Sequence, residues 1–343
     1  MSDFKVYEGS AAWKSMDFQT SDWIDVLDPE QRRELVDAAD SLPDEDSQWL
    51  GLKREDLHLP TLSPFLQKVN KGLEEGRGFA ILRGLDLPPA KIDFAYRVNW
   101  VLALGLGDVI AQNANGEVIG AVQAVTEADD NGMETRGYVS NAELRFHCDG
   151  GDVASLLCVR QAPEGGSNSL VSMVSIHNAM VRECPDLLAT LYRGLHMFMR
   201  KEGLLDSKVV PRQPLFFPQK DYLLGWVNLR LMELPYESTK TPMPVEERAA
   251  LDALEEIAER SEYKLSLKLE PGDMLLTHNF VCMHKRSEFT DDPNEEKARL
   301  MLRLWYNLPG SRVEAIQPAN QRRGYFTQSP YVIRHRDPSS AET

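Results

Sequence analysis

The chain has 343 residues, a formal net charge of −15, and 42% hydrophobic and 27% charged residues. This length can bury a substantial core, and the composition is that of an ordinary globular protein. The acidic balance excludes a basic nucleic-acid-binding surface, and no apolar run of about 18 residues would span a membrane.

The cysteines and the N-terminus indicate the compartment. The four cysteines have no paired spacing, and the first ten residues, MSDFKVYEGS, contain no apolar signal core. We therefore expect reduced thiols and a cytoplasmic protein. Neither nucleic acid nor a membrane is an expected partner, and the sequence leaves a homo-oligomer open.

The first hundred residues predict helices. In VLDPEQRRELVDAADSL, Asp28 is a predicted N-cap and Gln31 completes a capping box. Ser63 repeats this kind of start before a stop at Gly76. GFAILRGL then predicts a short buried strand, followed by a helix over about residues 90–104.

Beyond Gly107 the pattern changes to short strands and polar loops. VASLLCVR predicts a strand, and SIHNAMVRECPDLLATLY predicts two helices divided at Pro185. Residues 244–263 predict a charged helix, and the alternating YKLSLKL that overlaps its end predicts a half-buried strand. We expect one domain over residues 1–343, with a largely helical part (about 1–106), a β-rich core with inserted helices (about 107–310) and a tail (311–343).

Residues 143–152, ELRFHCDGGD, combine a histidine and an aspartate with two glycines. If RFHCD ends a strand, alternation places His147 and Asp149 on the same face, and the two glycines allow a sharp turn beside them. An imidazole and a carboxylate suit a borderline divalent metal ion, which needs a third ligand. Taken alone, the pattern also fits a histidine that only satisfies a hydrogen bond.

Two histidines are candidates for that third ligand. His278 and His284 lie in GDMLLTHNFVCMHKRSEF, at the predicted end of a strand and in the loop after it. The other four histidines lie in loop-like segments, a basic tail or helical stretches without a nearby acidic residue. These residues alone leave the choice between His278 and His284 open.

The segment ARLMLRLWYN, residues 298–307, alternates strictly. Arg299 and Arg303 share one face with an aromatic residue, while leucines occupy the other face. Buried arginines are costly unless each meets an anion, and a guanidinium binds a carboxylate through two parallel hydrogen bonds. The segment therefore indicates a carboxylate pocket, or else an edge strand with two surface arginines.

In this order, these motifs resemble those of the Fe(II)- and 2-oxoglutarate-dependent dioxygenases of the taurine dioxygenase (TauD/TfdA) family. That family has H-x-D, a long interval, a distal histidine and then an arginine, which here correspond to His147, Asp149, His284 and Arg299. The stretch PGDMLLTHNFVCMHKRSEF also fits the family's G-D-…-N-…-H-x-R-x-x-F run. The resemblance thereby selects His284 over His278.

The resemblance implies an α+β protein with a mainly β core, a double-stranded β-helix (a cupin-like jelly roll) with flanking helices. It implies that His147, Asp149 and His284 are the catalytic ligands of Fe(II). In the family, 2-oxoglutarate and O2 fill the remaining metal positions. Decarboxylation of 2-oxoglutarate to succinate then accompanies oxidation of an unactivated C–H bond.

The resemblance also implies a cofactor-binding role for Arg299, which would clamp the distal carboxylate of 2-oxoglutarate. A threonine or serine assists that arginine in the family, and an ungapped match places Asn168 there, with Ser169 one residue later. Which of these two residues contacts 2-oxoglutarate is left open. Arg303 would bind an acidic group of the substrate.

The loop before the H-x-D motif lines the substrate side in the family, which implies substrate contacts for Gln112, Asn113 and Tyr138. The same side chains would serve equally to satisfy the loop backbone. The resulting expectation is a small polar, anionic or amino-acid-like substrate that carries a carboxylate, sulfonate or phosphonate.

Two other classes of function stay open. One is a non-catalytic jelly-roll binding protein, against which the intact ligand set argues. The other is a metal-dependent hydrolase, which would need an activated water and a general base rather than paired arginines. Within the oxygenases, Asp149 predicts oxygenation, because halogenases of this broader class have a small residue at that position.

Overall fold

Seven strands form the larger of two main sheets in the computed structural model, which describes residues 4–87, 91–113, 115–124, 140–199, 208–316, 322 and 330–334. Their order is β1 (Ile24–Val26), β2 (Phe79–Arg83), β14 (Met274–His278), β6 (Val153–Arg160), β17 (Leu300–Asn307) and β3 (Asp108–Ile110), with β4 (Ile119–Val122) also paired to β17. All pairs are antiparallel except β1 with β2.

The smaller main sheet carries the H-x-D motif. It has four antiparallel strands in the order β13 (Leu265–Leu267), β8 (Asn168–Ser172), β15 (Cys282–Arg286) and β5 (Leu144–His147). Three two-stranded pairs accompany the main sheets: β7 (Glu164–Gly165) with β16 (Phe289–Thr290), β9 (Leu195–Met199) with β10 (Lys208–Gln213), and β11 (Phe216–Pro218) with β12 (Leu223–Gly225).

Seven α-helices flank these sheets within the described part of the chain. They are α1 (Pro29–Ser41), α2 (Leu62–Glu75), α3 (Ile92–Leu106), α4 (Met173–Glu183), α5 (Pro185–Arg193), α6 (Leu229–Thr239) and α7 (Val245–Glu259). None of the helices in the described ranges is long and apolar enough to cross a bilayer.

Two hydrophobic clusters hold these layers together. One buries the apolar faces of α1, α2 and α3 against the larger sheet, including Leu302 and Leu304 of β17. The other contains side chains of both main sheets, including Met301 of β17 and Leu170 of β8, together with residues of α4, α5 and α7. Neighbouring residues of β17 thus belong to different clusters, as the predicted alternation requires.

The sequence predicts the start of α1 correctly and the start of α2 incorrectly. The Asp28 carboxylate accepts from the backbone of Glu30 and Gln31, and the Gln31 side chain accepts from the Asp28 backbone, which confirms the capping box. The predicted start of α2 at Ser63 is wrong. The carboxylate of Glu34, on α1, accepts from the Thr61 and Leu62 backbone N–H groups and starts the helix earlier.

The second histidine segment also differs from its prediction. His278 ends β14 as expected, but His284 lies in the middle of β15 and not in a loop. The residues between them, from Asn279 to Val281, form a tight turn in which the Val281 N–H donates to the His278 carbonyl at 3.0 Å. This turn carries the chain from the larger sheet to the smaller one.

Candidate metal centre and adjoining anion pocket

His147 and His284 face each other on adjacent strands. Their positions are paired in the β5–β15 register, and their ring centroids are 4.4 Å apart. The Asp149 carboxylate, just beyond the end of β5, lies 3.9 Å from His147 Nε2 and 3.6 Å from His284 Nε2. One ligand atom from each residue lies within 4.8 Å of the others, the one such group found among the described residues.

Asp149 is held by its backbone. Its N–H donates to Asn279 Oδ1 at 3.1 Å, and its carbonyl accepts from Trp226 Nε1 at 3.0 Å. Asn279 Nδ2 donates to the carbonyls of Gly150 and Gly151. A Cβ atom at Gly150 would lie 2.8 Å from the Trp305 ring, and Gly151 has a φ of +73°, so both glycines are required here.

The protonation states suit a metal ligand set. His147 Nδ1 lies 2.8 Å from the Arg145 carbonyl, which leaves Nε2 directed at Asp149. Burial, together with the neighbouring His284, lowers the pKa of His147 to about 4, so the imidazole is neutral at neutral pH. Although burial opposes it, Arg303 and the two histidines hold the pKa of the Asp149 carboxyl well below its usual range.

Two imidazoles and one carboxylate bind one face of a divalent ion and leave the other positions open. This donor set is typical of non-haem Fe(II) oxygenases. A narrow cavity of about 60 Å³ adjoins it, with apolar walls and a polar side formed by Asn168, Arg286, Arg299 and Arg303. Among the described residues of this lining Asp149 is the single acidic one, so this part of the cavity favours anions.

Arg299 gives the strongest indication that the cavity binds an anion. Its side chain is fully buried, and its three guanidinium nitrogens have no hydrogen-bond partner among the described residues. Burial lowers its pKa to about 10, and the guanidinium lies 5.0 Å from the centre of the Phe289 ring. A Cβ atom at Gly166 would lie 3.2 Å from Arg299 Nε, so this glycine leaves room for the guanidinium. A buried charge in this state needs a counter-ion.

Asn168 and Ser169 face opposite sides of β8. Asn168 lines the cavity, and its buried Nδ2 atom has no partner in the described part of the chain. The Ser169 hydroxyl lies instead 3.1 Å from the Ser266 hydroxyl on β13. Of the two candidates for a co-substrate contact, the geometry favours Asn168.

Arg303 lies beside the candidate metal centre. Its Nη1 atom is 3.4 Å from both Asp149 carboxylate oxygens, and its guanidinium lies 4.8 Å from the centre of the Trp305 ring. Arg303 Nε donates to Gln112 Oε1 at 2.7 Å, and Gln112 Nε2 donates to the carbonyls of Arg303 and Val118. Gln112 therefore fixes Arg303 in place.

Asn113, a further substrate candidate, does not line the cavity. The Asn113 side chain bonds within its own loop, to the backbone of Asn115 and Glu117 and to the Glu117 carboxylate. Tyr138 lies outside the described residues, so its predicted contact stays a prediction.

Sequence reasoning assigned no role to Arg286, although the residue was part of the recognised motif. It follows His284 by two positions on the same strand, and both residues line the cavity. The alternation that paired His147 with Asp149 also pairs His284 with Arg286. This alternation in the sequence is sufficient to place Arg286 on the same face as His284.

Comparison with known proteins identifies a family and a related enzyme. Residues 43–305 match the model of a family described as taurine catabolism dioxygenase TauD, TfdA family. The FR-33289 synthase of Streptomyces rubellomurinus is 31% identical over 316 residues, which cover 90% of this chain and 92% of that protein.

Two solved oxygenases share the fold. An asparagine oxygenase in complex with Fe(II), 2S,3S-3-hydroxyasparagine and succinate has a TM-score of 0.64 at 21% identity, over 90% of this chain and 99% of that one. The non-heme iron oxygenase OrfP, in complex with Fe and alpha-ketoglutaric acid (2-oxoglutarate), has a TM-score of 0.62 at 12% identity, over 88% and 100%. The shared architecture confirms the predicted jelly roll with flanking helices.

Proposed function

This chain belongs to the TauD, TfdA family of Fe(II)- and 2-oxoglutarate-dependent dioxygenases, and on that premise we propose that it oxidises an unactivated C–H bond of a small, anionic, amino-acid-like molecule. The observation that carries the substrate class is the position of Arg303. Its guanidinium lies 3.4 Å from Asp149 and is fixed by Gln112 and Trp305.

The charges around the cavity support an anionic substrate. The lining contains the guanidinium groups of Arg286, Arg299 and Arg303 against the carboxylate of Asp149. A divalent metal ion adds two further positive charges and takes up the Asp149 carboxylate. One 2-oxoglutarate dianion cannot neutralise all of these charges, so an acidic group on the substrate fits beside Arg303.

The relatives support an amino-acid-like molecule. The solved asparagine oxygenase holds a hydroxylated asparagine, and OrfP has been solved with hydroxylated arginine. Both ligands are α-amino acids with a carboxylate. We extend this chemistry to the present chain because it shares their fold and has a cationic residue beside the candidate metal centre.

The residues present fit the two groups that the family requires. His147, Asp149 and His284 would hold Fe(II), and the unpartnered buried donors of Arg299 and Asn168 would hold the distal carboxylate of 2-oxoglutarate. When bound, these groups supply the oxidising power, consuming O2 and releasing succinate and CO2. The chain's own residues bind, orient and enclose the reactants.

Each arginine then has a separate task. Arg299 fixes the far end of the co-substrate, since its guanidinium is completely enclosed and cannot reach solvent. Arg303 orients the substrate, since it lies directly beside the metal ligand Asp149. The apolar side chains of Val122, Leu156 and Leu275 line the remaining wall and exclude water from it.

A substrate screen with paired compounds tests the proposal. Amino acids and small carboxylates, sulfonates and phosphonates are each compared with their uncharged esters or amides, and succinate formation is measured with Fe(II) and 2-oxoglutarate. We expect an acidic compound to stimulate succinate formation about tenfold or more and to gain one oxygen atom, while its uncharged partner does neither. A best substrate without an acidic group would refute the proposed substrate class.

A further inference from the structure

Arg286 is a buried arginine in which three of the five guanidinium N–H groups have no partner among the described residues. Its side chain lines the cavity two positions after His284, and the residue is 4% exposed. Nη2 donates to the carbonyls of Ser140 and Ala142, at 2.6 and 2.5 Å. Nε and Nη1 are buried and have no partner in the described ranges. These two nitrogens carry three N–H groups, which are available to a ligand in the described part of the structure.

The unused donors belong to the pocket that contains Arg299. Arg286 and Arg299 lie 4.8 and 5.0 Å from the centre of the same aromatic ring, that of Phe289. Arg286 is also paired in the strand register with Asn168, whose buried Nδ2 has no partner within the described ranges either. Three neighbouring side chains thus present unsatisfied N–H groups around one small cavity.

The two buried guanidinium groups repel each other: burial and then the charge of Arg299 lower the pKa of Arg286. The Asp291 carboxylate accepts from the backbone N–H of Arg299 and not from its guanidinium. An anion that only Arg299 contacts would leave the second guanidinium without an acceptor. A carboxylate offers two oxygens, each able to accept more than one hydrogen bond, so both guanidinium groups can share it.

We propose that Arg286 is a second co-substrate-binding arginine, which donates from Nε and Nη1 to the same distal carboxylate that Arg299 binds. This inference rests on the proposed roles of Arg299 and of 2-oxoglutarate. It makes Arg286 a determinant of co-substrate selectivity, because its contribution requires a 2-oxo acid with a second carboxylate. A 2-oxo acid with an apolar end gains nothing from it.

Arg286 also connects this carboxylate to the chain that leads into β5. Its Nη2 atom holds the carbonyls on either side of Asn141, and the Asn141 carbonyl accepts from the Phe289 N–H at 3.2 Å. Arg286 and Phe289 thus bind the carbonyls of three consecutive residues that precede His147. Any substitution of Arg286 disturbs this anchor too, so its test must separate anchoring from anion binding.

Measuring the equilibrium binding of two 2-oxo acids distinguishes anchoring from anion binding. The dissociation constants of 2-oxoglutarate and of 2-oxovalerate, which has a methyl group in place of the distal carboxylate, are measured by anaerobic calorimetry on Fe(II)-loaded protein. The variants are Arg286→Gln and Arg286→Lys. The control is Arg260→Gln, which follows α7; its guanidinium bonds Glu183 and Glu256, and the residue is not part of the cavity lining.

We expect Arg286→Gln to weaken 2-oxoglutarate binding roughly 10- to 100-fold while 2-oxovalerate binding changes about twofold or less. Arg286→Lys should give a smaller loss with the same selectivity, and Arg260→Gln should change neither constant. Equal weakening of both ligands, or no change for 2-oxoglutarate, would show that Arg286 only anchors the chain. If Arg286→Gln does not fold, the selectivity of Arg286→Lys decides. Wild-type protein that fails to bind 2-oxoglutarate would instead refute the proposed function itself.

Discussion

His147 and His284 are direct cross-strand neighbours, and the β5–β15 ladder becomes irregular immediately after them, between His284 and Arg286. The pairing brings two imidazole rings to 4.4 Å although most of the catalytic core separates them in sequence. Neither ring needs a loop to place it. Such a rigid base holds ligand atoms at fixed separations, as an open metal site requires.

We predict that His284→Ala abolishes stoichiometric Fe(II) binding and that His278→Ala does not. Both ring nitrogens of His278 are already engaged, Nε2 at 3.1 Å from Glu74 Oε2 and Nδ1 as acceptor from the Phe280 N–H. His278→Ala should instead lower the free energy of unfolding by about 1–3 kcal/mol, because it leaves Glu74 less satisfied. Iron content and denaturant unfolding of both variants test this, and iron loss in His278→Ala alone would reverse the assignment.

Asp149 predicts oxygenation of the substrate and not halogenation. Its carboxylate fills the position that halogenases of this broader class leave free for chloride, and Asn279 and Trp226 fix the backbone that carries it. Mass spectrometry of the product formed in chloride buffer is the measurement. We expect an oxygenated product only, and a chlorinated product from the wild-type enzyme would contradict the prediction.

The sequence predicted most strongly those features that depend on short-range pattern. Strand β6 matches its predicted residues, and the α1 capping box is present, because neighbouring residues determine both. The start of α2 was misplaced because Glu34, from another helix, supplies the cap. No local pattern reveals a cap of this kind.

The same distinction holds at the candidate site. Alternation alone placed Arg299 and Arg303 on one face, but it could not show that Gln112 braces Arg303 or that Asn113 is used by its own loop. Those partners lie far apart in sequence or depend on the course of a loop. The choice of His284 over His278 came from the family resemblance, since Glu74, the partner of His278, is remote in the chain.

We predict that acid destabilises the protein in part through His177. This side chain is fully buried with Nε2 2.8 Å from the Tyr192 hydroxyl, and burial lowers its pKa to about 4. In the unfolded chain a histidine has a pKa of about 6.5, so protons favour unfolding below that value. The contribution is complete above pH 6.5 and is lost as the pH falls towards 4, at up to about 1.4 kcal/mol per pH unit.

Denaturant unfolding of the wild type and of His177→Gln between pH 7.5 and 4 measures this contribution. Burial also lowers the pKa of His147, so the wild-type slope alone does not isolate one residue. The difference between the two proteins should therefore be largest near neutral pH and should shrink towards pH 4. A difference that does not depend on pH would show that His177 contributes packing and not proton linkage.

The last prediction concerns the different roles of Arg303, on β17, and of Arg299, which immediately precedes this strand. Arg299 is completely buried with every guanidinium nitrogen unpartnered in the described structure, whereas Arg303 bonds Gln112 and lies beside Asp149. Loss of a buried charge-assisted pair costs roughly 2–5 kcal/mol, or about 30-fold to several thousandfold in binding. Arg299→Gln should therefore raise the KM for 2-oxoglutarate by that factor, even in uncoupled turnover without substrate. Arg303→Gln should leave uncoupled turnover nearly intact and should weaken stimulation by the substrate.

Both KM values, measured for both variants, decide between these roles. Because Arg303 contacts Asp149, iron occupancy must be determined in the same preparations, so that a loss of metal is not mistaken for a loss of substrate binding. A raised 2-oxoglutarate KM in Arg303→Gln with an unchanged one in Arg299→Gln would mean that the roles are exchanged. Small and equal effects would mean that neither guanidinium binds a ligand. The complete burial of Arg299 argues against that outcome, because an uncompensated charge at this position would destabilise the fold more than a neutral side chain would.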